Sequence, residues 1–364
     1  LAGYPLLPNN NLMHYLIAAD GDGMSQYVSG QKLETYRNYI QRQQINNEPH
    51  NFEDFLNTRK RMGPATHVGL NRALLDFSNR LVPYLTEQRF CGRVVYSGGD
   101  DVLAVLPLTD LPDYLLSLRA AWCGDNDPYD QDPAVTFRAE GGYWYPEFGS
   151  ANHYGLPQRP LFTMGKGATT SAGIVIAHKT VPLPTVLESL WEAEAERAKK
   201  LWGFKEGKNV IPAKDGCCFR VIYGGGNTLE ALIKGHLLSG WRQWLTIGCA
   251  ESVAFAPVLY RLAEELPRHA VITEHYHMVS KAAKVILTAR DAPLAEQTQA
   301  AIVQWLNAWE SWAWGVKQSW QRQPDPLKDQ PPLGISIEDL AQILRFSAFW
   351  VDKMAQYDRW TKEG

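Results

Sequence analysis

No stretch of this chain approaches the roughly 18 uninterrupted apolar residues that a membrane-spanning helix needs, and the N-terminus lacks the basic-then-apolar order of a secretion signal. A cytoplasmic protein with no membrane partner is the expectation. The five cysteines (Cys91, Cys123, Cys217, Cys218, Cys249) form no C-x-x-C pair, which removes zinc ribbons and disulfide frameworks and leaves reduced, mostly buried thiols. An excess of one charge is lacking too. The 36 basic and 39 acidic residues leave −3, so no electrostatic surplus marks a surface for duplex nucleic acid, and any such contact has to be local or made through partners. Gly224-Gly-Gly226 has no G-K-[ST] ending, so it reads as a turn and not a phosphate loop. Residues 20 to 31 fail as a calcium loop, because Met24 and Ser25 stand where the fifth and sixth positions want an oxygen ligand and a glycine. An initiator methionine is also absent, and the opening Leu1-Ala-Gly-Tyr-Pro5 hints at a piece of something longer.

What is present is a chain of 364 residues, 45% hydrophobic, long enough for two or three domains with a sizeable core. Tyr15-Leu-Ile-Ala-Ala19 is a short apolar run broken by Asp20-Gly-Asp-Gly23, the pattern of a buried strand that delivers a carboxylate at its exit. Val68, Leu70, Ala73, Leu74, Phe77, Leu81 and Leu85 follow at three- and four-residue spacing, one apolar face of a helix. Gly92 to Ser97 and Val102 to Leu106 are two short apolar strands joined through Gly98-Gly-Asp-Asp101. That joint reads as a β-hairpin, since glycine accepts the positive φ of a tight turn. A helix from about Leu111 to Trp122 precedes a long Gly-, Pro- and Tyr-rich insertion at about 123–166.

Thr169 to Ala177 resembles another buried strand. The next helix runs from about Pro182 to Leu201 with Leu183, Val186, Leu187, Leu190 and Trp191 as its buried stripe, and Cys217 to Tyr223 adds a last strand. This order of strand, helix, hairpin, helix, strand is the alternation of a ferredoxin-like α+β sheet with helices on one face. From about Thr228 the pattern turns helical. Trp305, Trp309, Trp312 and Val316 make a stripe that is either core or a partner-facing surface, and Ser336 with Asp339 resembles a capping box. The domain expectation is a palm over 1–227 followed by an α-helical C-terminal domain over 228–364.

Phosphoryl and nucleotidyl transfer need divalent metals that activate a hydroxyl and neutralise a triphosphate, and magnesium takes hard oxygen ligands. Asp20, Asp100 and Asp101 supply that set if their strands are neighbours, with the Gly21 carbonyl as a further ligand. Gly98 and Gly99 let a nucleotide approach the backbone. Taken singly, each acidic loop is ordinary turn chemistry; it is the joint placement at the edge of one sheet that carries the metal reading. Glu274, His275 and His277 form no convincing metal site, since i and i+2 on a helix point apart.

The blocks L-I-A-A-D-G-D-G-M-S-Q-Y-V-S-G (16–30), G-R-V-V-Y-S-G-G-D-D-V-L-A-V-L-P (92–107), S-A-G-I-V-I-A-H (171–178) and A-E-R-A-K (195–199) resemble, in order and spacing, the palm region of the large subunit of type III CRISPR effector complexes, Cmr type. The resemblance covers about residues 12 to 225 and is fainter beyond, where I-L-R-F (343–346) is similar to the end of the family's helical domain. It implies a palm that converts ATP into cyclic oligoadenylate, using two magnesium or manganese ions, once the complex has bound target RNA. It aligns Asp20, Asp100 and Asp101 with the metal carboxylates, puts Gly98 and Gly99 in the nucleotide-facing turn, and makes Lys199 a triphosphate contact, where the residues alone read as a solvated helix-end lysine. Ser171 and His67 occupy characteristic positions, open to nucleotide contact or to local hydrogen bonding. The implied partners are the other effector subunits, including the small helical subunit, the guide and target RNAs, and a second palm, since the family's synthesis uses two facing palms and only one is visible here. An HD nuclease domain, a first palm and a zinc-binding segment, usual in the family, are not seen in this sequence. The rival readings are a degenerate palm kept as a scaffold and a stand-alone diguanylate-type cyclase, the latter disfavoured by Val102.

Overall fold

A computed structural model describes residues 13–40, 45, 49–129, 134–149, 154–178, 180–207, 209–251, 255–269, 277–288, 294–323 and 331–363. Glu274 and His275 lie outside them. A six-stranded sheet organises the first two thirds of the chain: β1 (Met13–Gly21), β2 (Arg93–Gly98), β3 (Asp101–Pro107), β7 (Thr170–His178), β10 (Gly216–Ile222) and β11 (Thr228–Lys234), in the order β11-β10-β7-β1-β3-β2. The four strands β7-β1-β3-β2 are the ferredoxin-like core, with the first strand of the chain at its centre. β1 pairs antiparallel with β3 (Ala19 opposite Val102) and with β7 (Asp20 opposite Ser171), while β10 runs parallel to β7.

The period of two along β1 decides which helix covers which face. Tyr15, Ile17 and Ala19 are buried in the main core. That core also takes side chains from α3 (Pro64–Asp76), from the helical path that continues it through α4 (Val82–Tyr84) to Arg89, and from α5 (Leu111–Cys123). The shorter α1 (Met24–Val28) and α2 (Phe52–Asn57) precede α3. Leu16 and Ala18 face the other way, with Leu103, Val175 and Ala177, under Val186 and Leu190 of α6 (Leu183–Glu192). Helices therefore cover both faces of the sheet, not one as the sequence suggests, because the parallel β7–β10 connection needs a crossover helix of its own.

The thiols are not mostly buried, since Cys217 and Cys218 are buried but Cys91 and Cys249 are exposed, and three helix positions expected to be buried are exposed as well. Val68 is 68% exposed, because the buried part of α3 begins at Ala73; Leu183 (59%) and Trp191 (57%) stand off α6, whose contact with the sheet is narrow and met by Val186 and Leu190. The insertion has structure: β4 (Val135–Glu140), β5 (Tyr143–Phe148) and β6 (Leu161–Phe162) form a small sheet on a buried Trp144, which stacks on Phe137 at 4.6 Å between ring centroids. Arg159 anchors it to α3 with bonds of 2.8 and 2.6 Å to the two Asp76 oxygens.

Thr228–Lys234 is a strand where the sequence suggests helix. Its Leu, Glu, Ala and Lys are helix formers, but pairing with β10 across a Gly-rich turn overrides propensity. The two-stranded β8 (Phe204–Glu206) and β9 (Asn209–Ile211) precede β10. Helices then dominate: α7 (Leu238–Glu251), α8 (Phe255–Arg268), α9 (Met278–Thr288), α10 (Glu296–Gln321) and α11 (Ile337–Glu363). The stripe Trp305, Trp309, Trp312 and Val316 is buried, so it is core; the Trp305 and Trp312 indoles donate to the Leu237 and Trp202 carbonyls. The Ser336–Asp339 capping box is present in both directions, at 3.0 and 3.1 Å. Among the described residues no helix is long and apolar enough to cross a membrane.

Candidate functional site

Asp20 is delivered at the exit of the central strand, and extending the Ala19–Val102 register by one residue sets it opposite Asp101. Gly98 pairs with Asp101, leaving Gly99 and Asp100 as the two-residue turn, with Gly99 at φ 64°. The carboxylates of Asp20, Asp100 and Asp101 consequently converge, each offering an oxygen within 4.8 Å of the others. Gly21 makes this approach possible: a β-carbon there would lie 2.4 Å from the Trp122 ring and 2.9 Å from the Asp100 β-carbon.

The cluster is short of positive charge. Partial burial pushes Asp100 up to about 6, helped by its hydrogen bond with Asp20, and burial followed by the Asp20 charge raises Asp101 against the pull of Lys199. Lys199 is the cation in contact, bonded to both Asp20 and Glu194. Burial disfavours its charge, but those bonds outweigh it and raise its pKa. Burial likewise raises Glu194 despite Lys199. Three crowded carboxylates on rigid strands, one of them held toward its protonated form, are a hard-oxygen donor set that fits a divalent cation.

Sequence reasoning missed Glu194, and the reason is geometric. Glu194 and Lys199 are five residues apart, off any shared face of an ordinary α-helix, but α6 runs on through a π turn (Ala193–Arg197) into a 3₁₀ turn (Ala198–Lys200) that brings them together. It also missed Asp22, the second acid of the Asp-Gly-Asp-Gly run, which is buried and no part of the cluster. Asp22 accepts from Ser171 Oγ (2.9 Å), Thr169 Oγ1 (2.9 Å) and the Asp215 N–H (3.0 Å). Burial raises its pKa against those bonds. Ser171, wholly buried, thus spends its hydroxyl locally. His67 is exposed in the first turns of α3, and among the described residues no hydrogen bond joins it to the carboxylates.

A cleft of about 780 Å³ is lined among others by Tyr27, Lys32, Tyr39, Lys60, Gly69 and Lys166, but by neither the three carboxylates nor His67. Lys32 links it to the loop after β1 by donating to the Asp22 carbonyl at 2.8 Å. Residues 15–137, which contain β1, the hairpin and all three carboxylates, match the family model described as Cas10/Cmr2, second palm domain. This region resembles the Cas10/Cmr2 palm. Similar proteins are the CRISPR system Cmr subunit Cmr2 of Pyrococcus furiosus, 24% identical over 241 residues (65% of this chain, 22% of that protein), and its namesake of Saccharolobus solfataricus, 29% identical over 164 residues (44% and 12%). The chain thus spans well under a third of the curated relatives it matches. Two solved type III-B Cmr-beta structures share the fold of this chain: an apo state (TM-score 0.54, 16% identity, 93% of this chain and 38% of that one) and one bound to cognate target RNA (0.51, 17%, 79% and 36%).

Proposed function

We propose that this chain makes cyclic oligoadenylate from ATP as the palm of a cytoplasmic, type III RNA-guided antiviral effector, switched on by target RNA. The observation that carries the proposal is the convergence of Asp20, Asp100 and Asp101 in a palm of this family. These three, with the Gly21 carbonyl, would hold magnesium or manganese. Bound there, two such ions would lower the pKa of an attacking 3′-hydroxyl and neutralise the triphosphate and the leaving pyrophosphate. Lys199 adds a movable ammonium that can pass from Asp20 to a phosphate oxygen. Gly99, with nothing within 4 Å of a β-carbon position, leaves the hairpin backbone open to the nucleotide. Ring closure needs a second nucleotide, so a second palm is proposed as a partner. The small helical subunit, guide and target RNA belong to the same proposal.

The test is incubation of the purified assembly with ATP, magnesium and target RNA, with products identified by mass spectrometry. Cyclic oligoadenylate is expected from the native chain and none from Asp20→Asn or Asp100→Asn. Product from both variants overturns the proposal, a cyclic product made only from GTP favours the diguanylate reading, and no turnover by any form favours the scaffold.

A further inference from the structure

Lys214 and Asp215, immediately before β10, both adopt left-handed backbone, at φ 61° and 50°. Two consecutive non-glycine residues in that region persist only where their surroundings over-determine them. Here every backbone polar group of the pair has a partner. The Lys214 N–H donates to the Leu201 carbonyl at 2.7 Å, and the Lys214 carbonyl accepts from the fully buried Lys234. The Asp215 N–H donates to Asp22, and the Asp215 carbonyl accepts from the Gly235 N–H at 2.7 Å. The Asp215 carboxylate takes a 2.5 Å bond from Arg119, whose same nitrogen donates to the Thr170 carbonyl at 3.2 Å; Thr170 Oγ1 in turn donates to the Asp20 carbonyl at 3.0 Å. Gly235 fits only because it has no side chain, since a β-carbon there would lie 2.4 Å from both Arg119 and Asp215.

These bonds make two routes from one turn to the candidate site. One runs from Asp215 through Arg119 and Thr170 to the Asp20 carbonyl; the other runs from Lys214 through Leu201 to Lys199, two residues away. We infer that Asp215, in this strained turn, is a positioning residue that sets Asp20 and Lys199 at the distance at which they meet. The turn also sits where β11 hands the chain to the helical region, through Lys234 and Gly235. The inference deepens the reading of Asp20, Asp100 and Asp101 as cation ligands, and it rests on that reading for only one of its two readouts.

The experiment compares Lys214→Gly with Lys214→Val. Both remove the same amine, but glycine accepts the left-handed turn and a β-branched valine resists it. Manganese binding, followed by the loss of the free-ion paramagnetic resonance signal, is expected to weaken about tenfold in Lys214→Val, as for other residues that orient ligands from behind, and to stay within about twofold of the native chain in Lys214→Gly. Hydrogen exchange, read without metal, should quicken in Lys214→Val over residues 18–24 and 198–203 together. Exchange that quickens around the turn alone, with manganese affinity unchanged, overturns the inference. If the native chain binds no manganese but the two segments still respond together, the cation reading falls and the positioning role stands. Should Lys214→Val fail to fold, Asp215→Asn carries the same two readouts, because asparagine tolerates left-handed backbone and only the bond to Arg119 is weakened; native behaviour in both readouts then refutes the role.

Discussion

Two groups of acids in this palm, with Asp20 in one and Asp22 in the other, could hardly be treated more differently. Asp20, Asp100 and Asp101 converge and keep some exposure, and Asp20 is bonded to Lys199. Asp22 and Asp215 are buried, and the bonds to their carboxylates come from hydroxyls, a backbone N–H and Arg119. The buried pair is satisfied within the fold and has nothing left to offer a ligand. The open trio is crowded and partly exposed, and its oxygens fit a divalent cation. Motif spelling does not separate the two, since Asp20 and Asp22 belong to one Asp-Gly-Asp-Gly run.

The sharpest way to break this contrast is to remove compensation from the buried side. Arg119→Met leaves the Asp215 carboxylate buried without its ion-pair partner and should cost about 3 kcal/mol, read as a lowered urea midpoint; an unchanged midpoint would mean that Arg119 does not compensate Asp215. On the open side the effect should reverse. Manganese at ten times its dissociation constant should raise stability by about 1.4 kcal/mol, and the rise should disappear in Asp100→Asn.

The smallest effect tests the electrostatics alone. The carboxyl of Asp100 is raised from its ordinary value to about 6 in the fold, so its contribution to stability is fully present below the unfolded value near 4 and is lost as pH rises through about 6. Without metal, Asp100→Asn should therefore be more stable than the native chain at pH 7, by about 0.5 kcal/mol after allowing for solvent screening. The difference should vanish near pH 4. Thermal melts at the two pH values decide it, and an advantage equal at both would show that repulsion within the trio is not its origin.

What could be read from the sequence follows the range over which each signal acts. The exit of β1 at Asp20 and the Gly98–Asp101 hairpin are written in adjacent residues, as period-two burial and turn chemistry, and both are where they were expected. The alternation of elements gave the ferredoxin-like core for the same reason. The roles of Asp22 and Ser171 depend on pairing between residues about 150 positions apart, and β11 depends on β10 to be a strand at all. The Glu194–Lys199 contact needs a π turn, for which A-E-A-E-R carries no distinctive mark. Leu183 and Trp191 have the right period but lie outside the narrow strip of α6 that meets the sheet. Periodicity gives the direction in which a side chain leaves a helix, not how wide a surface awaits it.

The central place of β1 has a consequence in time. Its partners are β3, some 80 residues later, and β7, about 150 residues later, so neither of its ladders can form by local zipping. At about 5–20 residues per second, a ribosome takes on the order of ten to thirty seconds to deliver β7 after β1. Until β3 emerges Tyr15-Leu-Ile-Ala-Ala19 has no partner on either edge, and its second edge waits for β7, the kind of segment that aggregates when it waits too long. The carboxylate it carries joins its partners only when the sheet closes around it, so the site and the centre of the fold are completed in one late event.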